Sequence, residues 1–481
     1  MAQASIKKNF IMNVILTMSS FIFPFITFPY ISRVLQPAGY GKVQFATSVI
    51  SYFSMFAQLG IPTYGIRVCA QVRDDREQLT RTVHELLFIN LITNLISYAV
   101  LLVAVLSVPK FREEKTLLLI ISATIFLSSI GMEWLYKALE QYTYITVRSV
   151  IFKFIALIAM LLLVHEKSDY LIYGGITIFA SSASNILNLL NAHKYVDFKP
   201  VCNYEWKRHL KPVATFFAMA CASTIYTNLD NVMLGFMTTD VDVGYYSAAV
   251  KIKTILVSVV TSLGAVVLPR ASFYVEHGEV QAFQRICRKA LNFVVLIALP
   301  LTVYFISFAK HGILFLSGNA YEGSILPMQV IMPTLLLIGV TNIMGIQILV
   351  PTGREVIVLY SEVAGAVTDV IINAALIPRM ASTGAAIGTL VAESVVLAVQ
   401  YYYLRNEISE MVKGIHWGRI LFATLMALVL ASWVKRLEVG HFIILALSSM
   451  LFFGIYGLFL LLKKEELVVE IWKQVLSRIK R

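Results

Sequence analysis

Apolar residues come in blocks of about twenty from one end of the chain to the other, separated by short polar connections. A helix of that length crosses the ~30 Å hydrocarbon core of a bilayer. The pattern predicts fourteen membrane-spanning helices. They lie at 10–32, 43–66, 83–108, 116–137, 149–165, 170–191, 212–237, 244–268, 290–309, 325–349, 356–377, 384–404, 417–434 and 441–462. The fifth is short, and Pro327 and Pro333 interrupt the tenth.

A weak internal repeat organises these spans. ISRVLQPAGYGKVQFATSVISYF leads out of span 1 into span 2, and LDNVMLGFMTTDVDVGYYSAAVKI leads out of span 7 into span 8. Each crosses a short polar connection and restarts on a Gly-aromatic step, and Gly41 and Gly244 are 203 residues apart. Six spans is an even number, so both halves begin on the same side. The expectation is an all-α polytopic membrane protein with two parallel six-helix lobes around a central cavity. The lobes are 1–195 and 196–405; residues 406–481 add spans 13 and 14 and a cytoplasmic amphipathic tail. Parallel-repeat transporters hold substrate between such lobes, near the midplane.

Composition agrees. The 481 residues are 58% hydrophobic and 14% charged, with a mean hydropathy of +0.76. An ordinary soluble enzyme, at about 25% charged, is excluded. The net charge of +12 would suggest nucleic acid in a soluble chain; here the positive-inside rule accounts for it, and no nucleic-acid partner is expected. With the N-terminus cytoplasmic, 27 of the 40 Lys and Arg fall on the inner side and 10 on the outer. That bias puts both termini in the cytoplasm. Lys7 and Lys8 precede an apolar run too long for a signal peptide, so it reads as an uncleaved first span. In the tail, Leu467, Ile471, Val475 and Ile479 repeat every four residues among charges, a pattern that suits a helix lying on the membrane or a solvated basic tail.

Charges inside spans cost about 2.5–3.5 kcal/mol each at the bilayer centre, so they face a cavity or a partner. Lys251 and Lys253 lie two turns into span 8, where at least one faces the cavity or one snorkels to the outer interface, and Lys153 lies inside span 5, open to a cavity role or to snorkelling. Arg33, Arg67 and Arg270 stand at span ends, where a vestibule contact and an interfacial anchor are both open. Asp230, beside Asn228 and Asn231, is open to a structural ion pair or a site role. Glu362 and Asp369 are seven residues apart, hence on one face of span 11, and Glu393 is near the middle of span 12. Such carboxylates carry protons, bind a cation or tie helices together. Glu133 and Lys137 have the spacing of an intrahelical pair. Pro24 and Pro29 predict kinks in span 1.

The sequence has no GxxxxGK[ST] phosphate loop and no HExxH motif, and its four cysteines form no CxxC pair. No cofactor or metal is called for, and the short outer connections leave no room for an enzyme's active site.

The order of motifs resembles bacterial polysaccharide repeat-unit flippases of the O-antigen and capsule type. The run Ile31-Ser32-Arg33-Val34-Leu35-Gln36-Pro37-Ala38-Gly39-Tyr40-Gly41 carries it, with Gln36 where that family commonly has Gly. Tyr64-Gly65-Ile66-Arg67, Arg73-Asp74-Asp75, Asn228-Leu229-Asp230, Val243-Gly244-Tyr245-Tyr246-Ser247, Pro351-Thr352-Gly353-Arg354 and Gly384-Ala385-Ala386 continue it. Val68 replaces a Glu frequent in the family, so no role of that Glu transfers. The resemblance implies the multidrug/oligosaccharidyl-lipid/polysaccharide exporter fold. It also implies undecaprenyl-pyrophosphate-linked oligosaccharide as substrate, with a polysaccharide polymerase and other glycan assembly proteins as candidate partners in the bacterial cell membrane. Arg33, Lys153, Asp230, Lys251, Lys253 and Arg270 are the candidate substrate-binding residues; Glu362, Asp369 and Glu393 are the candidates for ion coupling. The rival readings are a cation-coupled drug antiporter of the same fold, a membrane polymerase or ligase, and a non-transporting scaffold.

Overall fold

The computed structural model describes residues 6–201, 203–262, 264–412 and 414–479. Every regular element among them is helical. Ten helices are long and apolar enough to cross a membrane, eleven when the bent pair Asn319–Ile331 and Thr334–Leu349 counts as one span. Two of these are far longer than one bilayer. Helix α1 runs Ile6–Gln58, and a second long helix runs Glu355–Val412. Each breaks at one residue: Gln36 (φ 57°, ψ 177°) and Ala381 (φ 45°, ψ −126°). Each is therefore two passes joined with almost no loop. With those counted twice and Lys207–Met237 added, the number of passes reaches fourteen.

The expected kinks at Pro24 and Pro29 do not break α1, whose backbone angles stay helical except at Gln36. Gln36 precedes Pro37, and a following proline pushes a residue out of the α region. Its φ and ψ lie where glycine is at home and other side chains are strained. The position where the resembling family commonly carries Gly is thus the one that needs it.

By their contacts the described residues form two compact units, Met1–Gly244 and Tyr245–Arg481. In the first, α1 is followed by α2 (Ile61–Gln71), α3 (Arg76–Ser107), α4 (Lys115–Ile130), α5 (Tyr142–Leu163), α6 (Tyr170–Ile178) and α7 (Lys207–Met237). Helix α5 begins seven residues before the expected start of the fifth span, and so carries Arg148 into its buried face. Arg148 donates to the Ser184 carbonyl (3.0 Å) beside the π-helical turn Phe179–Ala183, and pairs with Glu133 (3.5 Å). Glu133 also forms the expected pair with Lys137 (2.8 Å). Asp75 caps α3 by accepting from the backbone N–H groups of Glu77 and Gln78, satisfying two otherwise orphaned donors.

Helix α7 is little buried along its length. Only five of its 31 residues are buried: His209 and Val213 near its start, and Asp230, Leu234 and Gly235 near its end. Its C-terminal end and the turn into the next helix, which begins at Asp240, are held by close packing on α1. A Cβ on Gly235 would lie 2.1 Å from the Phe45 ring. A Cβ on Gly41 would lie 1.8 Å from the Asp240 carbonyl oxygen, and one on Gly244 2.1 Å from that of Pro37. The two glycines matched by the internal repeat therefore pack in the same contact. Lys110 pairs with Asp240 at 2.7 Å beside it.

The second unit contains α8 (Asp240–Thr261, mostly in this unit), α9 (Gly264–Glu276), α10 (Val280–Ser307), α11 (Glu355–Val412), α12 (Trp417–Ser432), α13 (His441–Leu462) and α14 (Glu466–Ile479). The bent pair turns by 46° at Met332–Pro333; Pro333 stands at the bend, whereas Pro327 lies inside the preceding helix without breaking it. One apolar cluster joins α10, α12 and α13 through Val294, Val295, Ala423, Ala427, Phe452 and Tyr456. The tail forms α14, whose Leu467 and Val468 pack on this cluster.

Candidate functional site

The candidate residues fall into a cationic and an acidic set. Lys251 and Lys253 sit mid-way along α8, on either side of the buried Ile252. Both are half-buried, and neither has a hydrogen-bond or ion-pair partner among the described residues. Holding an ammonium in an apolar span without a countercharge is costly, and an anionic ligand would relieve the cost. Lys153, on α5, donates to Ser19 Oγ and Ser20 Oγ of α1, both at 2.9 Å. Its charge is solvated by hydroxyls rather than neutralised. Arg33 is exposed and donates back to the Pro29 carbonyl one turn earlier. Arg270 is exposed on α9 and joins no other candidate within its unit. Asp230 is buried on α7, one residue from Asn231, which donates to Ser48 Oγ at 3.2 Å.

The acidic set is built by the hairpin of α11. Gln400 donates to Ser361 Oγ at 3.1 Å, the space beside Gly388 is filled by Asn373 and Asp369, and Gly384 packs on Leu376 and Ile377. These pairings give one antiparallel register, in which Glu393 faces the level of Asp369. Both are buried, at 6% and 1% exposure. Gly388 is what makes room: a Cβ there would lie 2.1 Å from Asn373 Oδ1 and 2.9 Å from Asp369 Oδ1. The Tyr246 hydroxyl meets Thr389 Oγ1 at 2.8 Å one turn away. Glu362 is only half-buried and lies two turns further along, outside this group. The hairpin thus gathers two carboxylates with amide and hydroxyl oxygens. That donor set suits a hard cation or a shared proton.

One polar cluster was invisible in the sequence. Glu85 on α3, fully buried, accepts from the Glu205 backbone N–H (2.6 Å), from Arg208 Nη2 (2.8 Å) and Nε (3.2 Å), and from His209 Nε2 (2.7 Å). His209 Nδ1 lies 2.8 Å from the Tyr64 hydroxyl. A neutral imidazole satisfies both contacts, donating from Nε2 to Glu85 and accepting at Nδ1 from Tyr64. No motif announces this group, because its members come from three elements and up to 145 residues apart. Only the buried Glu at the start of a span could have hinted at it.

Fourteen helical passes among the described residues, with uncompensated cations and buried carboxylates inside them, define a polytopic membrane transporter. Comparison with known proteins narrows the class. The model of the polysaccharide biosynthesis protein family matches residues 6–275, more than half of the chain, and the chain belongs to that family. It is 22% identical over 404 residues to the "Putative O-antigen transporter" of Escherichia coli (strain K12), covering 84% of this chain and 97% of that one. Its fold is similar to that of a lipid II flippase, MurJ, in an inward closed conformation, with a TM-score of 0.75 and 15% identity over 95% of this chain and 100% of that one. It is also similar to a multidrug resistance MATE family transporter, in an inward-facing conformation, with a TM-score of 0.65, 14% identity, and coverage of 84% and 99%. The expected exporter fold and the transporter class, rather than an enzyme, are what these relatives share.

Proposed function

We propose that the protein is a flippase for undecaprenyl-pyrophosphate-linked oligosaccharide repeat units, working by alternating access in the bacterial inner membrane with both termini cytoplasmic. The observation that carries this reading is the pair Lys251 and Lys253, two half-buried cations without a protein countercharge in a chain of the polysaccharide biosynthesis family. A sugar headgroup cannot cross hydrocarbon and needs a polar path. Its pyrophosphate needs cations, and its isoprenoid tail can stay in lipid. Lys153 and Arg33 are additional cations for the headgroup, with Asp230 and Arg270 as further polar contacts. An anionic headgroup carrying two charges out of an inside-negative cell gains roughly 4–5 kcal/mol at 100 mV, from about 2.3 kcal/mol per charge. Proton or cation exchange at Asp369 and Glu393, with Glu362 further along α11, would add to that force. A polysaccharide polymerase and other glycan assembly proteins are the partners that would receive the product.

The test is flipping of a fluorescent undecaprenyl-pyrophosphate oligosaccharide in proteoliposomes. Wild type should flip it, and Lys251→Ala/Lys253→Ala should lose activity while staying folded. Flipping unaffected by the double substitution would move the headgroup site elsewhere. Coupling is tested by Asp369→Asn and Glu393→Gln: an unchanged pH dependence of transport would end the role of these carboxylates. A second reading, a cation-coupled drug antiporter, is favoured by that same buried carboxylate pair. Cation-driven drug transport without flipping of any carrier lipid would select it.

A further inference from the structure

Helix α7 is buried at its two ends and at most half-buried between them. From 214 to 229 none of its residues is buried. Its N-terminal fastening is the Glu85–Arg208–His209–Tyr64 group, set in an apolar cluster of Ile61, Leu79, Val83, Leu86, Trp134 and Val213. A junction meant only to hold would gain from apolar side chains here, because burying charged and polar groups costs about as much as their pairing returns. Buried polar networks are best attested where a register or a switch must be specified.

Two neighbouring features fit a switch. Pro212 lies one turn into α7, and it cannot donate to the carbonyl of Arg208, so the helix has a weak point directly after the network. Next, the backbone of Phe216 and Phe217 rests on Gly60, where a Cβ would come within 2.5 Å of Phe217 N. Gly60 itself has a φ of 71° and forms the break between α1 and α2. The start of α7 is therefore held against a break in one neighbour and carries a bend point of its own. Arg208 is 46% exposed, so water can reach the ion pair from one side and replace it when the contact opens.

We infer that Glu85, Arg208, His209 and Tyr64 form a reversible latch, which holds the N-terminal end of α7 on α2 and α3 and releases it, with bending at Pro212, during the transport cycle. These are positioning residues: they touch no substrate and act through the placement of α7. The transport role rests on the flippase reading above; the opening itself does not.

The experiment measures the opening directly. Full-length protein with Cys69, Cys202, Cys221 and Cys287 replaced by Ser carries spin labels at Glu77→Cys on α3 and Lys211→Cys on α7, both at exposed positions. In liposomes the distance distribution should contain a short and a long component. Glu85→Gln should raise the long-to-short ratio about tenfold, the loss expected for a charged hydrogen bond. Tyr64→Phe, which removes one hydroxyl and is the milder change should Glu85→Gln not fold, should raise it a few-fold. A single short distance in wild type, unchanged in whichever variant folds, overturns the latch. Flipping is measured on the same samples. A distribution that shifts in a protein that flips no carrier supports the latch and counts against the flippase reading alone.

Discussion

The two ends of α7 are fastened by opposite means. At the C-terminal end, Gly235 lies on the Phe45 ring, and in the turn just beyond it, at the start of α8, Gly41 and Gly244 bring backbone against backbone at distances that no side chain allows. At the N-terminal end, a carboxylate, a guanidinium, an imidazole and a phenol exchange hydrogen bonds inside an apolar cluster. Close packing of backbone is insensitive to water and protons and has no intermediate state. A polar network can trade its partners for water one at a time. The first is suited to a fixed pivot, the second to a contact that opens.

The largest effect should come from breaking the pivot. Gly41→Ala puts a methyl group on the Asp240 carbonyl oxygen, and we expect a loss of about 3 kcal/mol or more. Fluorescence-detected gel filtration should show little folded protein, whereas native-like yields would mean that the contact yields easily. Glu85→Ala should come next. It leaves His209 buried without its acceptor, at about 2 kcal/mol, and should lower the melting temperature without abolishing the folded peak. Gln36→Gly sharpens the comparison from the other side. Gln36 adjoins Pro37, on which Gly244 packs, and its positive φ stores strain on the order of 1–3 kcal/mol. Part of the gain is offset by the greater freedom of glycine in the unfolded chain, so a net gain of about 1 kcal/mol is expected. A lowered melting temperature would show that no strain is held there.

The smallest effect should come from the ion pair near the latch that water already surrounds. Arg76 and Asp197 meet at 2.7 Å but are more than half exposed. The hydrogen bond from Arg76 holds the Asp197 carboxyl below the ordinary carboxylate range. A lowered folded-state value means that its contribution is present above the unfolded-state value and fades as pH falls through the folded one. At neutral pH, Asp197→Asn should leave the melting temperature unchanged within error, and a large drop would make this pair part of the junction.

Most of the fold was legible as periodicity. The apolar blocks fall on helical segments, some of them broken within the block as at Gly60, and Pro333 marks the bend of the tenth. What periodicity does not report is conformation in the polar stretches between blocks. The pattern predicts short polar connections around Gln36 and Ala381, yet both are helical up to a single residue. Burial of Arg148 escaped for a related reason: it stands just before an apolar block, and only the earlier helix start turns it inward. The candidate site was half legible. Seven-residue spacing put Asp369 on a common face with Glu362, but only the register of α11 sets Glu393 beside Asp369 and leaves Glu362 apart. The Glu85 network was not legible at all, since three separate elements contribute to it.

The turns at Gln36 and Ala381 also decide how the molecule meets a protease. Cleavage requires several residues of extended chain in the enzyme's groove, and each of these turns offers one non-helical residue between helices. Limited digestion used to map sidedness should therefore pass over both turns, although they are reversals of the chain between spans. Among the described residues, 195–201 and 203–206, immediately before α7, are irregular chain that such an enzyme can take.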